Sequence, residues 1–466
     1  MKLLLKILGI GFGVLLLVGV ALAAFAFLRN LDDDALDAEA ARLLALSPPQ
    51  IAAADNGYFA WIGVVGPASE PAYDWGRRWF EQALAADKRA GIGDDEAVTL
   101  AIDHERRSEN FTSKDLPCNK AETCLDEVVA APGAARELLA KAGTTLERAD
   151  SALAFPDYQE AWRPDFGFRS PLPVHPPYLR QLASTRFALA LVEHRDSQAL
   201  GQLGREMAFH TRQAATAVTL VEELIAVSRL DNDYRLLGSY LGHYPASARQ
   251  HAEQIAGLLA PIPKDALGLR RVMSTECLVG LRMFLTLKDE ARRKKQEGSA
   301  AGSIGLPGSE ADVLASFLYL PNATANGHYR TYLPWLELDG KAGPDYRRAL
   351  AAIRQQGRDT EEFSLADLAV RNPVGNILLR IGTPDFGRYY FRRDDLIALR
   401  AAVALQFDLL RRNIRDDESI RRAVGEAQLV HPFTGETPVW DASRRTLSYQ
   451  ARPERKDQPM VLVMGD

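Results

Sequence analysis

Apolar positions along the chain fall into three regimes. The first is an unbroken run from Ile7 to Leu28, 22 residues without a charge, preceded by Lys2 and Lys6 and followed by Arg29, Asp32, Asp33 and Asp34. At about 1.5 Å of rise per residue the run reaches roughly 33 Å, enough to cross a hydrocarbon core. In the second regime, from Leu125 onward, apolar residues recur at helical intervals. Pro176 and Pro177 open a stripe of Tyr178, Leu182, Thr185, Leu189 and Val192. Similar stripes follow at Ala214, Val218, Val221 and Ile225, and at Leu396, Leu399, Val403, Phe407 and Leu410. The third regime closes the chain: Thr437 to Trp440 and Thr446 to Gln450 read as short strands about the turn Asp441 to Arg445, with Val461 to Val463 as a candidate third strand.

The predicted fold class is therefore mainly α: an N-terminal transmembrane helix, a body of antiparallel helix pairs, and a small C-terminal β hairpin. Each helical stripe needs another helix to cover it. The polar breaks His194 to Ser197, Leu230 to Asp233, and His243 to Pro245 suit the turns of helix pairs. Before that body, Asp32 to Leu46 predicts a short stalk helix ended by Pro48 and Pro49. Tyr58 to Gly66 is aromatic, β-branched and glycine-bounded, which predicts a strand or a buried extended segment, and Pro71 to Ala90 predicts a helix. Gln296 to Glu310 is rich in Gly, Ser and Ala and marks a flexible boundary, while Ser364 to Asp367 has the form of a helix cap. The expected organisation is an anchor (1–30), a stalk and N-terminal subdomain (31–130), a helical subdomain (131–295), the flexible loop (296–310), a second helical subdomain (311–430) and the hairpin (431–466).

Orientation of the span follows the cations at its ends. Lys2, Lys6 and the amino terminus outweigh Arg29, which keeps the N-terminus cytoplasmic and sends the body outward. The A-x-A steps at Ala21 to Ala23 and Ala24 to Ala26 also fit signal-peptide cleavage, but the usual apolar region of such a peptide has about 7–15 residues, and the length favours an uncleaved anchor. The expected location is the inner membrane, single pass, with a periplasmic body. In that oxidising compartment Cys118 and Cys124, close in a polar stretch behind Pro117, suit a local disulfide. Cys277 lies in an apolar helical stretch and reads as a buried thiol.

Composition refines this without adding an activity. With 47% hydrophobic and 25% charged residues the chain has the balance of a globular protein, and a net charge of −5 argues against a nucleic-acid partner. The basic cluster Arg292 to Lys295 suits a helix C-terminus. There is no G-x-S-x-G, S-x-x-K, C-x-x-C or G-x-x-x-x-G-K motif. The histidines form no H-E-x-x-H motif and no i,i+4 pair, and Asp231, Asn232 and Asp233 lack the rest of a calcium loop. No metal and no cofactor is expected.

One stretch offers binding chemistry. Between Arg371 and Arg393, the candidates Arg371, Asn372, Arg380, Arg388, Tyr389, Tyr390 and Arg392 combine guanidinium forks with aromatic faces, which suit an anionic or sugar ligand. The competing account is a broken helix whose arginine stems cover apolar surface. His431 to Glu436 suits a tight turn into the hairpin.

The tether, Cys118 and Cys124-Leu125, the helical middle, Arg371-Asn372-Pro373-Val374-Gly375 and the closing Pro432-Phe433-Thr434-Gly435 together resemble a group of membrane-anchored, mostly helical periplasmic proteins of Gram-negative bacteria. The resemblance spans most of residues 1–450. It implies architecture and compartment and carries no activity. The expected function is an interaction or assembly module of the cell envelope, bound to the inner membrane through residues 7–28 and to an envelope protein partner. A hydrolase-type envelope enzyme without a linear motif, and a binder of glycans or anionic small ligands, are the alternatives.

Overall fold

The structure, a computed structural model, describes residues 27–46, 52–87, 111, 113–161, 177–296, 318–359, 371–381, 386–449 and 461–463, with isolated positions between 12 and 25. The loop expected at 296–310, the cap at 364–367 and Thr383 to Asp385 lie almost wholly outside the described residues, as does half of the run at 7–28. Among the described residues no helix is long and apolar enough to cross a membrane.

The body is helical, as the 3.6-residue stripes require. In chain order the helices are α1 (Ala38–Leu44), α2 (Gly57–Ile62), α3 (Ala72–Asp87), α4 (Ala121–Ala130), α5 (Pro132–Lys141), α6 (Gly143–Leu153), α7 (Pro177–Val192), α8 (Asp196–Thr216) and α9 (Leu220–His243). They continue with α10 (Pro245–Gln250), α11 (Ala252–Leu258), α12 (Arg270–Gln296), α13 (Pro321–Leu336), α14 (Gly343–Asp359), α15 (Pro373–Ile381), α16 (Gly387–Arg411) and α17 (Asp417–Glu426). Strands β1 (Val439–Asp441) and β2 (Thr446–Ser448) form an antiparallel hairpin with Trp440 opposite Leu447, and β3 (Val461–Val463) pairs antiparallel with β2.

Three sequence expectations change. The Tyr58 to Gly66 segment is helical, with α2 followed by a 3-10 turn at Gly63–Val65. Asn56 caps α2 by accepting from the Tyr58 amide, and Tyr58, Trp61, Ile62 and Val65 are all buried. A run buried on every side has no alternation to separate strand from helix. Here α2 crosses α3 so closely that a Cβ on Gly76 would stand 1.9 Å from the Phe59 carbonyl oxygen, so glycine is required. The second change is at Leu230 to Asp233, which is no break: α9 runs through it, with Asn232 and Asp233 buried. Third, the stripe from Ala214 to Ile225 spans two helices. Thr219 caps α9 by accepting from the Glu222 amide, which leaves Val221 exposed and turns Glu222 and Glu223 inward. The T-x-x-E spacing of Thr219 and Glu222 is a capping-box signature.

The apolar core has three parts, each assembled from distant stretches. One joins α4, α7, α8, α9 and α16 with Trp440 and Leu447 of the hairpin. A second joins Ala40 and Leu43 of α1 to α12, α13 and the start of α16, so the stretch expected as a stalk is built into the body. The third packs α2, α3 and α6 around Trp61, Trp75 and Phe209. Cys118 and Cys124 are disulfide-bonded, with Cα atoms 4.3 Å apart, at the edge of the first part. Closing so small a loop stabilises by about 2–3 kcal/mol in the chain-entropy account, so reductant should lower the unfolding free energy, read from urea titration, by that amount without unfolding the body at 25 °C. Cys277 is fully buried, and burial pushes its thiol up to about 12.

Candidate functional site

The clearest polar constellation gathers where the chain leaves the apolar run. Residues 29–37 carry three consecutive aspartates and no apolar stripe, so apart from Leu36, which packs on the second part of the core, polar contacts fix them. Arg371 supplies the first: its guanidinium donates to the Arg29 carbonyl and, at 3.2 Å, to the Asp32 carbonyl, and it pairs with the Asp34 carboxylate. Asn372 donates its amide to Asn30 Oδ1 at 2.7 Å. Its side chain accepts from the Leu320 amide at 2.9 Å and donates to Thr324 Oγ1 at 2.9 Å, so one buried residue joins the segment, the entry to α13 and α13 itself. Asn372 has φ 51°, a left-handed conformation that asparagine tolerates better than most residues.

The N-terminus of α13 completes the clasp. Leu320 offers α13 no side-chain cap, and the Asp33 carboxylate, 289 residues away from Asn322, takes that role by accepting from the Asn322 amide at 2.8 Å and the Ala323 amide at 3.0 Å. A carboxylate on two orphan amides at the positive end of a helix is a favourable pairing. Asn326 accepts from the Asp37 amide at 2.8 Å and donates to the Ala35 carbonyl at 2.9 Å, and Arg330 pairs with Asp37 at 3.1 Å.

The other candidates go elsewhere. Tyr390 is fully buried, stacked on Trp335 and donating to the Trp335 carbonyl at 2.7 Å. Arg388 and Arg392 are exposed on α16, Tyr389 is half-buried beside it, and Arg380 is exposed on α15. Arg393, outside the candidate set, is the cation that organises this region. Its guanidinium bonds Asp339 at 2.7 Å and Asp394 at 3.0 Å, and lies 5.5 Å from the Tyr346 ring centroid and 5.0 Å from that of Tyr390. His431 Nδ1 accepts from the Phe433 amide at 3.2 Å, which leaves Nε2 to donate to Asp395 at 2.8 Å and ties the turn before the hairpin to α16. The stretch Arg371 to Arg393 thus works as a clasp at one end and as core at the other.

Sequence reasoning missed the buried carboxylates. Glu160 accepts from the Val218 amide at 3.2 Å, and from the Thr219 amide and hydroxyl at 2.9 Å. Glu222 accepts from Tyr158 Oη and, at 2.8 Å, from Gln213 Nε2. Burial, with Glu222 nearby, holds the Glu160 carboxyl well above the ordinary carboxylate range. Glu223 is fully buried with no hydrogen-bond partner on either oxygen, and burial pushes it up to about 8 against the opposing pull of Arg271 and Arg393. The signal available was the capping box at Thr219, which turns both glutamates inward.

A small cleft of mixed character lies beside this cluster, with Arg186, Glu206, His210, Arg229 and Asp233 facing apolar residues that include Trp61. Arg186 donates to Asp150 at 2.8 Å and to Glu206 at 3.3 Å, and Gln202 donates to Glu206 at 2.9 Å. Burial raises the carboxyls of Glu206 and Asp233. The cleft is small, with room for on the order of two waters. No group of three or more metal-ligating side chains occurs among the described residues. Comparison of the chain with protein-family models, curated proteins and solved structures finds no match.

Proposed function

We propose that this chain is a single-pass inner-membrane protein, N-terminus in the cytoplasm, whose helical body is an interaction or assembly module on the periplasmic side. The observation that carries the address is the state of the apolar run. Phe12, Leu16, Leu17, Val20, Phe25, Phe27 and Leu28 leave between 47% and 72% of their surface uncovered by the body. A rod of bare apolar side chains is stable in lipid and not in water. The disulfide suits an oxidising compartment. The clasp supports the role, because it makes the first residues beyond the span part of the body and sets that body against the membrane at a fixed distance.

A surface for a protein partner is the use that fits the body best. Its buried histidines and most of its buried carboxylates are engaged internally, the cleft is small, and Val129 and Val439 stand about half exposed on its outside. Photocrosslinkers placed at Val129, Val221 and Val439 in growing cells should trap one envelope protein from at least one position, with the adduct accessible to periplasmic protease. Adducts with cytosolic proteins would refute the address, and no discrete adduct from any position would refute the assembly role. The hydrolase alternative draws on Glu206, Asp233 and His210 around one cleft. The binder alternative finds Arg371 and Asn372 already occupied by the chain's own segment.

A further inference from the structure

We propose that α15 is a membrane-surface helix, lying in the headgroup region of the bilayer beside the point where the span emerges. The inference deepens the anchored reading and rests on it. Helix α15 has two faces. Gly375 and Leu379 pack on α13: a Cβ on Gly375 would stand 2.1 Å from Thr324 Oγ1, and Leu379 lies against Gly327. The other face carries Val374, Ile377, Leu378 and Ile381, spaced 3, 1 and 3; the body half-covers Val374 and Leu378 and leaves Ile377 47% and Ile381 77% exposed. An apolar helical stripe turned away from the core needs a covering.

The clasp identifies that covering. Arg371 and Asn372, the two residues before α15, are hydrogen-bonded to Arg29 and Asn30, the first residues beyond the apolar run. A helix of 9 residues extends only roughly 14 Å from that point. Wherever α15 aims, Ile377 and Ile381 stay within reach of the interfacial layer, and Leu28 and Leu31, 65% and 51% exposed, add apolar surface on the span's side of the clasp. The flanking charges have both signs, with Arg29, Arg371 and Arg380 among Asp32, Asp33 and Asp34. Insertion is therefore apolar in origin and occurs without anionic lipid.

The test is nitroxide depth measurement on the full chain in phosphatidylcholine vesicles, using Ile377→Cys, Ile381→Cys and Leu16→Cys, with Glu418→Cys as the aqueous reference. The native cysteines are disulfide-bonded or buried and add little label. The expected result is an oxygen-to-nickel accessibility ratio several-fold above the Glu418 value at both isoleucines, and higher still at Leu16. Aqueous values at Ile377 and Ile381 with a lipid value at Leu16 would overturn the α15 proposal alone. An aqueous value at Leu16 would overturn the anchor and this proposal together. Low access for both reagents at the isoleucines would mean that protein covers the face, a second copy or a partner, and would also overturn it.

Discussion

Replacement of Asn372 by alanine is expected to lower the unfolding free energy by about 2–4 kcal/mol. Two costs add. The side chain satisfies the buried Leu320 amide and bonds Thr324, and its loss leaves that amide without a partner. Alanine must also hold φ 51°, which asparagine accepts more readily. Asn372→Gly separates these costs, because glycine adopts the left-handed conformation freely and loses only the bonds. The glycine variant should fall between wild type and alanine in urea midpoint. Arg388→Ala, at an exposed position on the next helix, should stay within about 0.5 kcal/mol of wild type. A loss at Arg388 as large as that at Asn372 would mean that the structure misplaces the polar work of this region.

Glu223→Gln should stabilise the protein at alkaline pH by on the order of a few kcal/mol and change little near pH 4.5. In the folded protein the Glu223 carboxyl is pushed up to about 8 by burial, from an ordinary 4.5. Between those values the folded chain holds a proton that the unfolded chain releases, so the contribution of this group is complete below pH 4.5 and is lost as pH rises through 8. Glutamine keeps the shape and removes the titration. Arg271 and Arg393 favour the charged form, whereas Glu222 and Asp339 disfavour it. Glu160 and Asp233 are raised too and should leave the variant with a residual slope of the same sign. Urea midpoints at pH 5 and pH 8.5 measure the effect, and parallel displacement of the two proteins across that range would contradict it.

Helices were legible wherever one face alone is apolar. The stripes of α7 and α16 place Leu182, Thr185, Leu189, Leu396, Leu399 and Val403 in the core, as their spacing requires. The hairpin and its turn were equally plain, because period-2 alternation flanks residues with turn chemistry. Periodicity failed where burial is complete or polar. Tyr58 to Val65 is covered on all sides and carries no period, and Leu230 to Asp233 mimics a turn because a buried polar stripe has the composition of a loop. Arg371 and Asn372 stood out as unusual for a sound reason, but their partners lie more than 300 residues earlier in the chain. Local spacing cannot show that Asp33 caps a helix beginning at Pro321.

The clasp is the claim on which the others rest, and hydrogen exchange on the full chain in lipid vesicles reaches it most directly. The amides of Asp37, Asn322, Ala323 and Asn372 each donate across the joint between residues 30–37 and the body. They should exchange far more slowly than an unstructured peptide, and Asp33→Ala should accelerate Asn322 and Ala323, whose amides its carboxylate accepts. Exchange at these four amides at the rate of a free linker, in a body otherwise protected, would contradict the account.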